Sequence, residues 1–301
     1  MINLTLRQLR YVDALAQHGH FGNAAESCAV SQPALSVQVR DLEDTLGTAL
    51  FERSARSVRL TSFGEEFVSR AREILRAVDE LGDMARAAEG NMIGRLRLGI
   101  IPTIAPYLLP HILSDLAVAH ESLDVQVRET VTPRLVEALH AGRIDAAIVA
   151  LPLGDAGFEE VELFSEQMML VRPASEADAP VPKVEALPEM RLLLLEEGHC
   201  FRDQALSFCS MPAVRAREGL DGSSLSTLVQ LVGAGLGVTL VPEMAVPVET
   251  RSAAVAVAAF PGTQPARRVG MVWRRTSPLA PHLTQIAEVV RGSGRTLRGE
   301  A

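Results

Sequence analysis

Residues 24–53 read AAESCAVSQPALSVQVRDLEDTLGTALFER, and this stretch decides the fold of the first part of the chain. It predicts a short helix that ends at Cys28, a turn, and a longer helix that begins at Gln32 and stops at Gly47. An apolar stripe runs along the longer helix, formed by Leu35, Val39, Leu42 and Leu46. Two helices joined by so short a turn are typical of a helix-turn-helix, whose second helix enters the major groove of DNA.

The solvent face of the second helix carries the candidate DNA contacts. Gln32, Ser36 and Arg40 follow one another at four-residue steps, so they project away from the apolar stripe, where side chains reach base edges and phosphates. The segment 51–60 that follows predicts a short basic β-hairpin. On this pattern alone, a solvated helix and an ordinary hairpin that bind no DNA remain the alternative. The candidate DNA-binding residues are Ser31, Gln32, Pro33, Ser36, Arg40 and Arg53.

A long helix is predicted from Thr61 to about Ala88. Its outer face is polar, and its apolar residues form a narrow, heptad-like seam. The seam consists of Phe67, Ile74, Val78, Leu81 and Ala85. A helix of this length and pattern is typical of a coiled coil between two chains, since a lone helix would leave the seam in water.

Strands and helices alternate from Arg95 onward, which predicts an α/β fold with a mostly parallel sheet. Two similar blocks, joined near 165–170 and recrossed near 265, indicate two lobes with a cleft between them. The predicted strands are 96–101, 124–129, 145–150, 191–197, 213–218, 237–242 and 267–274. The predicted helices are 105–119, 133–141, 201–209, 224–234 and 279–291.

Composition excludes several classes of protein. Of the 301 residues, 48% are hydrophobic and 22% charged, which excludes intrinsic disorder as the overall state. No run approaches the roughly 18 apolar residues of a membrane span, and no leader pattern opens the chain, so we expect a cytoplasmic protein without membrane contact. The net charge of −8 means that any DNA contact must come from a local patch.

The segment EEGHCFRDQALSFC, residues 196–209, is the second informative stretch. Cys200 follows an apolar strand and opens a helix, a position where unpaired N–H groups favour a thiolate and where His199 and Arg202 can add positive potential or hydrogen bonds. An inert buried thiol is an equally good reading of Cys200 from the residues alone, and it is the default for Cys209. The spacing does not predict a zinc site, and no metal or cofactor is expected.

The first 64 residues resemble the winged helix-turn-helix of the LysR-type transcriptional regulators. The similarity rests on LRQLRYVDALAQHGHFGNAAE (6–26) and VSQPALSVQVRDLEDTLGTALFERSARSVRLTSFG (30–64), and the long helix and two-lobed domain extend it over the chain. It implies a DNA-binding domain at 1–60, a linker and dimerisation helix at 61–90, and at 91–301 a regulatory domain like periplasmic binding proteins. Lobe I is then about 95–165 and 268–301, and lobe II about 166–267. The resemblance also implies a homotetramer on double-stranded promoter DNA and contact with RNA polymerase.

The segments GHCFRDQALSFC (198–209) and LGIIPTIAPYLLPHIL (98–113) resemble the hydrogen-peroxide-sensing members of that family. The resemblance implies that Cys200 is the peroxidatic cysteine and Cys209 the resolving cysteine. Phe201 departs from the pattern, which commonly has an aliphatic residue there. The residues implied for the peroxide pocket are Thr103, Thr132, His199 and Arg267, and the position of Arg202 after Cys200 adds it to them.

Two functions remain: a regulator switched by peroxide, and a LysR-type regulator gated by a small metabolite in the cleft between lobes. A thiol peroxidase is set aside, because such an enzyme would not use residues 1–60. On a continuous helix, nine residues separate the Cα atoms of Cys200 and Cys209 by about 13.5 Å. A disulfide tolerates less than about 7 Å, so part of 201–208 must unwind when the bond forms.

Overall fold

Three helices, a small hairpin and a long helix make up the first part of the chain, and the elements from the second helix onward follow the predicted order. The structure is a computed structural model that describes residues 4–53, 58–88, 94–208 and 221–299. The chain divides into two units, residues 1–85 and 86–301. The first elements are α1 (Leu6–His18), α2 (Phe21–Ser27), α3 (Gln32–Leu46), β1 (Phe51–Arg53), β2 (Val58–Leu60) and α4 (Ser62–Ala88).

Local sequence signals set the ends of these helices. Thr5 caps α1 through a capping box with Gln8, in which each side chain bonds the other residue's backbone N–H. Gly19 and Gly47 follow α1 and α3 with φ of +61° and +71°, a left-handed conformation that suits glycine at a helix end. The predicted stripe of α3 faces the core of this unit, where Leu35, Val39 and Leu42 are fully buried.

The long helix α4 confirms the predicted extent of the helix, but its seam is only partly covered. Phe67 packs against the core of the first unit. Ile74 and Leu81 are 47% and 63% exposed. The side chain of Ala85 is outside the described part of the chain. About half or more of each of the Ile74 and Leu81 side chains is therefore open to solvent in the single chain.

The second unit is the predicted α/β domain with two lobes. Its elements up to the crossing between lobes are β3 (Arg95–Ile100), α5 (Ala105–Ala119), β4 (Asp124–Glu129), α6 (Thr132–His140), β5 (Ala146–Leu151) and β6 (Phe158–Pro173). The elements after it are β7 (Leu194–Leu195), α7 (Cys200–Phe208), β8 (Asp221–Gly222), α8 (Leu225–Gly233), β9 (Thr239–Pro242), α9 (Val246–Glu249), β10 (Val255–Ala258), β11 (Ala266–Arg274) and α10 (Ala280–Leu297).

The long strand β6, which the sequence analysis missed, connects the two lobes. The strands are ordered β10-β6-β11-β5-β3-β4, with β9 also paired to β6. Residues 158–167 of β6 pair with β11, whereas residues 168–173 pair with β9 and β10. All these pairs are antiparallel, and so is β11 with β5, while β3 is parallel to both β4 and β5. The prediction of a mostly parallel sheet was therefore wrong, and the sheet is mixed.

One predicted strand of the second lobe is shorter in the structure than expected. The expected strand 191–197 shortens to β7 and a single bridge between Leu192 and Val238. The expected strand 213–218 lies outside the described residues.

Within the described part of the chain, no helix is both long and apolar enough to cross a membrane.

Candidate functional site

A small pocket at the start of α7 gathers four of the residues predicted for the peroxide site. Thr103, Thr132, His199 and Cys200 all line it. Gly198, with φ of +96°, turns the chain just before Cys200, which is half-buried and has a free thiol. The pocket is narrow and has no room for a molecule the size of water. The remaining lining residues are Ile101, Pro102, Val131 and Phe201.

Sheet topology explains why these residues meet. Strands β3 and β4 are parallel neighbours, with Ile100 opposite Glu129, so the loops that follow them leave the same edge of the sheet. Thr103 lies in the first loop, and Thr132 begins α6 directly after the second. Helix α7 brings Cys200 to this edge from the other lobe. Ligands of α/β sheets characteristically bind at such carboxyl-terminal edges.

The hydroxyl of Thr132 is buried and lacks a hydrogen-bond partner among the described residues. Buried polar atoms are nearly always paired in proteins, so such an atom usually marks the place of a ligand or water. Because the pocket also contains the Cys200 thiol, the Thr132 hydroxyl is placed to hold a small polar molecule beside the sulfur.

Arg267 lies behind the pocket and does not line it. Its guanidinium donates from Nη1 to Thr103 Oγ1 at 2.8 Å and from Nη2 to Thr103 O at 3.0 Å. The same guanidinium lies 5.6 Å from the ring centre of Phe201, the residue after Cys200. Arg267 therefore contacts both walls of the pocket, the loop after β3 and the start of α7.

Glu166 is a site residue that the sequence analysis missed. Arg267 Nε donates to Glu166 Oε1 at 2.6 Å, and both side chains are 0% exposed. The second carboxylate oxygen, Oε2, accepts from Met244 N at 3.3 Å. Glu166 and Arg267 lie directly opposite each other on β6 and β11, so strand register makes the pair. A buried arginine needs such a partner, because an uncompensated charge in the core is very unfavourable.

His199 supplies a neutral ring rather than a charge. Burial lowers its pKa below the ordinary value, and the nearby Glu196 opposes this with a smaller effect. The imidazole is therefore uncharged at pH 7 and acts in the pocket through hydrogen bonding. Of the two roles expected for His199, positive potential or hydrogen bonds, the lowered pKa favours hydrogen bonding.

Arg202 lies away from the pocket, although the sequence analysis placed it there. Its side chain is buried, and Nη1 donates to Leu195 O at 2.7 Å, which joins α7 to β7. The first turn of a helix points successive side chains in different directions, so Cys200 and Arg202 diverge. Arg202 therefore holds α7 against β7 and does not line the pocket.

Helix α7 is continuous from Cys200 to Phe208, and the predicted partner Cys209 lies outside the described residues. The inner side of α7 packs into the core through Phe201, Ala205 and Leu206. Any rearrangement of α7 must therefore disturb buried apolar contacts.

A larger cleft of about 350 Å³ lies next to the small pocket and shares Thr103 and His199 with it. Tyr107 of α5 donates a 2.6 Å hydrogen bond to Glu249 of α9, and Ser226 donates to the other oxygen of the same carboxylate at 2.6 Å. Burial, followed by the hydrogen bond to Glu249, raises the pKa of Tyr107 well above its usual range. Tyr107 and Glu249, which the sequence analysis did not identify, thus connect the two lobes across the cleft.

The candidate DNA residues lie mainly on the exposed side of α3. Gln32, Pro33 and Arg40 are exposed, and Ser31 precedes the helix as its cap residue, without a side-chain bond. Ser36 is half-buried, so it lies at the margin of this face rather than on it. Arg53 ends β1, and its side chain is outside the described part of the chain.

No three His, Cys, Asp or Glu side chains within residues 4–53, 58–88, 94–208 and 221–299 lie close enough to hold a metal ion.

Family models match both units. Residues 6–65 match the bacterial regulatory helix-turn-helix protein of the lysR family, and residues 89–295 match the LysR substrate binding domain.

Known proteins resemble the chain over nearly its whole length. The DNA-binding transcriptional dual regulator OxyR of Escherichia coli K12 is 41% identical over 293 residues, which cover 96% of this chain and 95% of that protein. A probable hydrogen peroxide-inducible genes activator of Streptomyces viridosporus is 42% identical over 298 residues, 97% of this chain and 95% of that protein.

Solved structures agree. Full-length OxyR of Pseudomonas aeruginosa, with one cysteine changed to aspartate, has a TM-score of 0.73 at 37% identity and covers 96% of this chain and 95% of its own. A cysteine-to-serine variant of Corynebacterium glutamicum OxyR with bound hydrogen peroxide has a TM-score of 0.67 at 36% identity, with coverage of 98% and 94%.

Proposed function

This chain belongs to the LysR family of bacterial transcriptional regulators, in which it is a peroxide-responsive, DNA-binding member, and we propose that a reversible disulfide between Cys200 and Cys209 is its switch. The observation that carries the proposal is the position of Cys200. Its thiol shares a pocket with two threonine hydroxyls and a neutral imidazole, and the Thr132 hydroxyl there is buried without a partner.

The chemistry proceeds in two balanced steps. In the first, the thiolate of Cys200 attacks one oxygen of hydrogen peroxide, the O–O bond breaks, and hydroxide leaves and takes up a proton to become water. The sulfur is then a sulfenic acid. In the second step the thiol of Cys209 attacks this sulfur, a disulfide forms, and the sulfenic oxygen leaves as a second water.

Thr103 and Thr132 hold the peroxide. Thr103 Oγ1 already accepts from Arg267, so its own hydrogen is directed elsewhere and can be donated to a peroxide oxygen. The Thr132 hydroxyl can donate or accept on the other side. Because the pocket has no room for a water-sized molecule, peroxide entry requires its walls to move apart.

The disulfide cannot form while α7 remains a helix. Eight residues of helical rise place the Cα atoms of Cys200 and Phe208 about 12 Å apart. Cys209 is bonded to Phe208, and consecutive Cα atoms are about 3.8 Å apart, so at least about 8 Å remains between the two cysteines. A disulfide requires less than about 7 Å. Oxidation therefore unwinds part of α7 and releases Phe201 and Leu206 from the core.

The assembly and its partners complete the proposal. We assign DNA binding to residues 1–60, pairing of chains to 61–90, and sensing to 91–301. The exposed Ile74 and Leu81 on α4 support pairing. Contacts between regulatory domains then build a tetramer that acts in the cytoplasm on promoter DNA together with RNA polymerase. Repacking of α7 changes the tetramer, so a local bond selects between two DNA spacings.

A thiol count tests the switch. The chain contains three cysteines, and one equivalent of peroxide should remove two free thiols from the full-length wild type. Cys28→Ser is the matched control and should lose the same two. Cys209→Ser should form a trappable sulfenic acid without a stable disulfide. Oxidised protein that yields no peptide linked through Cys200 and Cys209 would contradict the proposal.

The cleft lined by Tyr107, Glu249 and Ser226 supports the second candidate, a regulator gated by a small metabolite. This candidate predicts that peroxide leaves the thiol count and the DNA footprint unchanged. The thiol count before and after peroxide therefore separates the two functions.

A further inference from the structure

The groove-facing side of α3 carries an exposed apolar side chain at its centre. Val37 is 52% exposed, and it is flanked on the same face by Pro33, Ala34, Arg40 and Asp41, which are also exposed. With 100° of rotation per residue, Val37 lies near the middle of this face and opposite the buried stripe. Single exposed apolar side chains are common on protein surfaces, but covering Val37 with another apolar group would be favourable.

The fold indicates what covers it. In a helix-turn-helix the second helix lies in the major groove, with the side opposite the domain core towards the bases. Within the major groove, the apolar group on a base edge is the C5 methyl of thymine. Arg40 is exposed on the same face of α3, and Arg7 lines a shallow groove together with Val37. Such charges suit a polyanion.

We propose that Val37 is a sequence-reading residue, whose isopropyl group packs against the C5 methyl of a thymine in each half-site. The inference rests on α3 being the helix that enters the groove. It adds an apolar contact to the polar ones predicted for Gln32 and Arg40. Because the contact depends on a single methyl group, a DNA base that lacks this methyl removes the contact without any change to the protein.

The experiment is a thymine-to-deoxyuridine scan, which deletes one methyl at a time without altering base pairing. The probe is a duplex selected by the full-length protein from a random-sequence pool. For the wild type we expect one thymine per half-site whose replacement weakens binding about threefold to fivefold, the effect of one buried methyl. In Val37→Ala the same replacement should have no further effect, because the contact is already lost.

The control is Val118→Ala, which changes an even more exposed valine on α5 and should leave the scan unaltered. Val37 lies outside the core, so Val37→Ala should keep the wild-type melting temperature. Identical scans for wild type and Val37→Ala would overturn the proposal. It would also be overturned if Val37→Ala altered association with a second chain or another protein while binding thymine and uracil duplexes as the wild type does.

Discussion

The guanidinium of Arg267 binds both oxygens of Thr103, with Nη1 2.8 Å from Oγ1 and Nη2 3.0 Å from the carbonyl oxygen. Two bonds from one planar group fix both the loop after β3 and the rotamer of Thr103. Arg267 is itself held by Glu166, so a chain of buried contacts extends from β6 to the wall of the pocket at Cys200.

Replacing Thr103 by valine should slow peroxide oxidation of Cys200 by about tenfold, the value of one hydrogen bond. Valine keeps the shape of threonine but removes the hydroxyl that is donated to peroxide. The rate constant is measured by trapping the sulfenic acid in a Cys209→Ser background. Thr103→Ser is the matched control and should retain most of the rate. Equal rates for the valine and serine variants would remove Thr103 from the peroxide site.

Replacing Glu166 by alanine should lower the free energy of unfolding by about 3–5 kcal/mol, because it leaves Arg267 as an uncompensated charge in the core. Equilibrium denaturation of the full-length protein measures the change. Glu162→Ala is the matched control on the same strand. Its partner is the exposed Arg268 at 3.4 Å, and such surface pairs contribute about 0–1 kcal/mol. Similar losses of unfolding free energy in the two variants would show that the buried pair contributes no more to stability than the surface pair.

His199 should make the protein less stable as the pH falls below about 6.5. Its pKa in the folded chain is below that of the unfolded chain, so the unfolded chain takes up the proton first as the pH decreases. Above this range both states are neutral at His199, and the group has no effect. His199→Gln should therefore show a smaller loss of stability between pH 7 and pH 5 than the wild type. An unchanged pH profile would assign the dependence to other groups.

Replacing Tyr107 by phenylalanine should lower the free energy of unfolding by about 1.5–3 kcal/mol, since the lost hydrogen bond is partly buried and its acceptor is the carboxylate of Glu249. Hydrogen exchange of α9 should rise in the same variant, because this bond connects the lobes. Ser226→Ala removes the exposed bond to the same carboxylate and should have the smaller effect. The reverse order would refute a lobe-connecting role for Tyr107.

Cys200→Ser should keep the reduced DNA footprint after peroxide is added, because the first oxidation step requires its sulfur. Cys209→Ser should also fail to switch stably, although Cys200 still reacts. DNase footprints of the full-length proteins before and after oxidation measure both outcomes. A peroxide-dependent change of footprint in Cys200→Ser would contradict the proposed disulfide switch.

Much of the molecule follows from short stretches of sequence. The helix boundary at Gly47, the buried stripe of α3, and the place of Cys200 at the start of α7 were all predicted. Each depends on residues a few positions apart, because capping, glycine conformation and helical periodicity act over one or two turns. For the same reason, the alternation of strands and helices was enough to predict two lobes.

The features that were not predicted from the sequence depend on contacts between segments that are distant along the chain. The first half of β6, EEVELFSE, is rich in glutamate and has little intrinsic strand preference, so pairing with β11 makes it a strand. Glu166 and Arg267 are 101 residues apart and meet through the register of that pair, and Tyr107 and Glu249 are 142 residues apart and meet across the lobes. Periodicity along a chain carries no record of which strands will be neighbours. Only tertiary packing decided which charges are buried together and which hydroxyl in the pocket is left for peroxide.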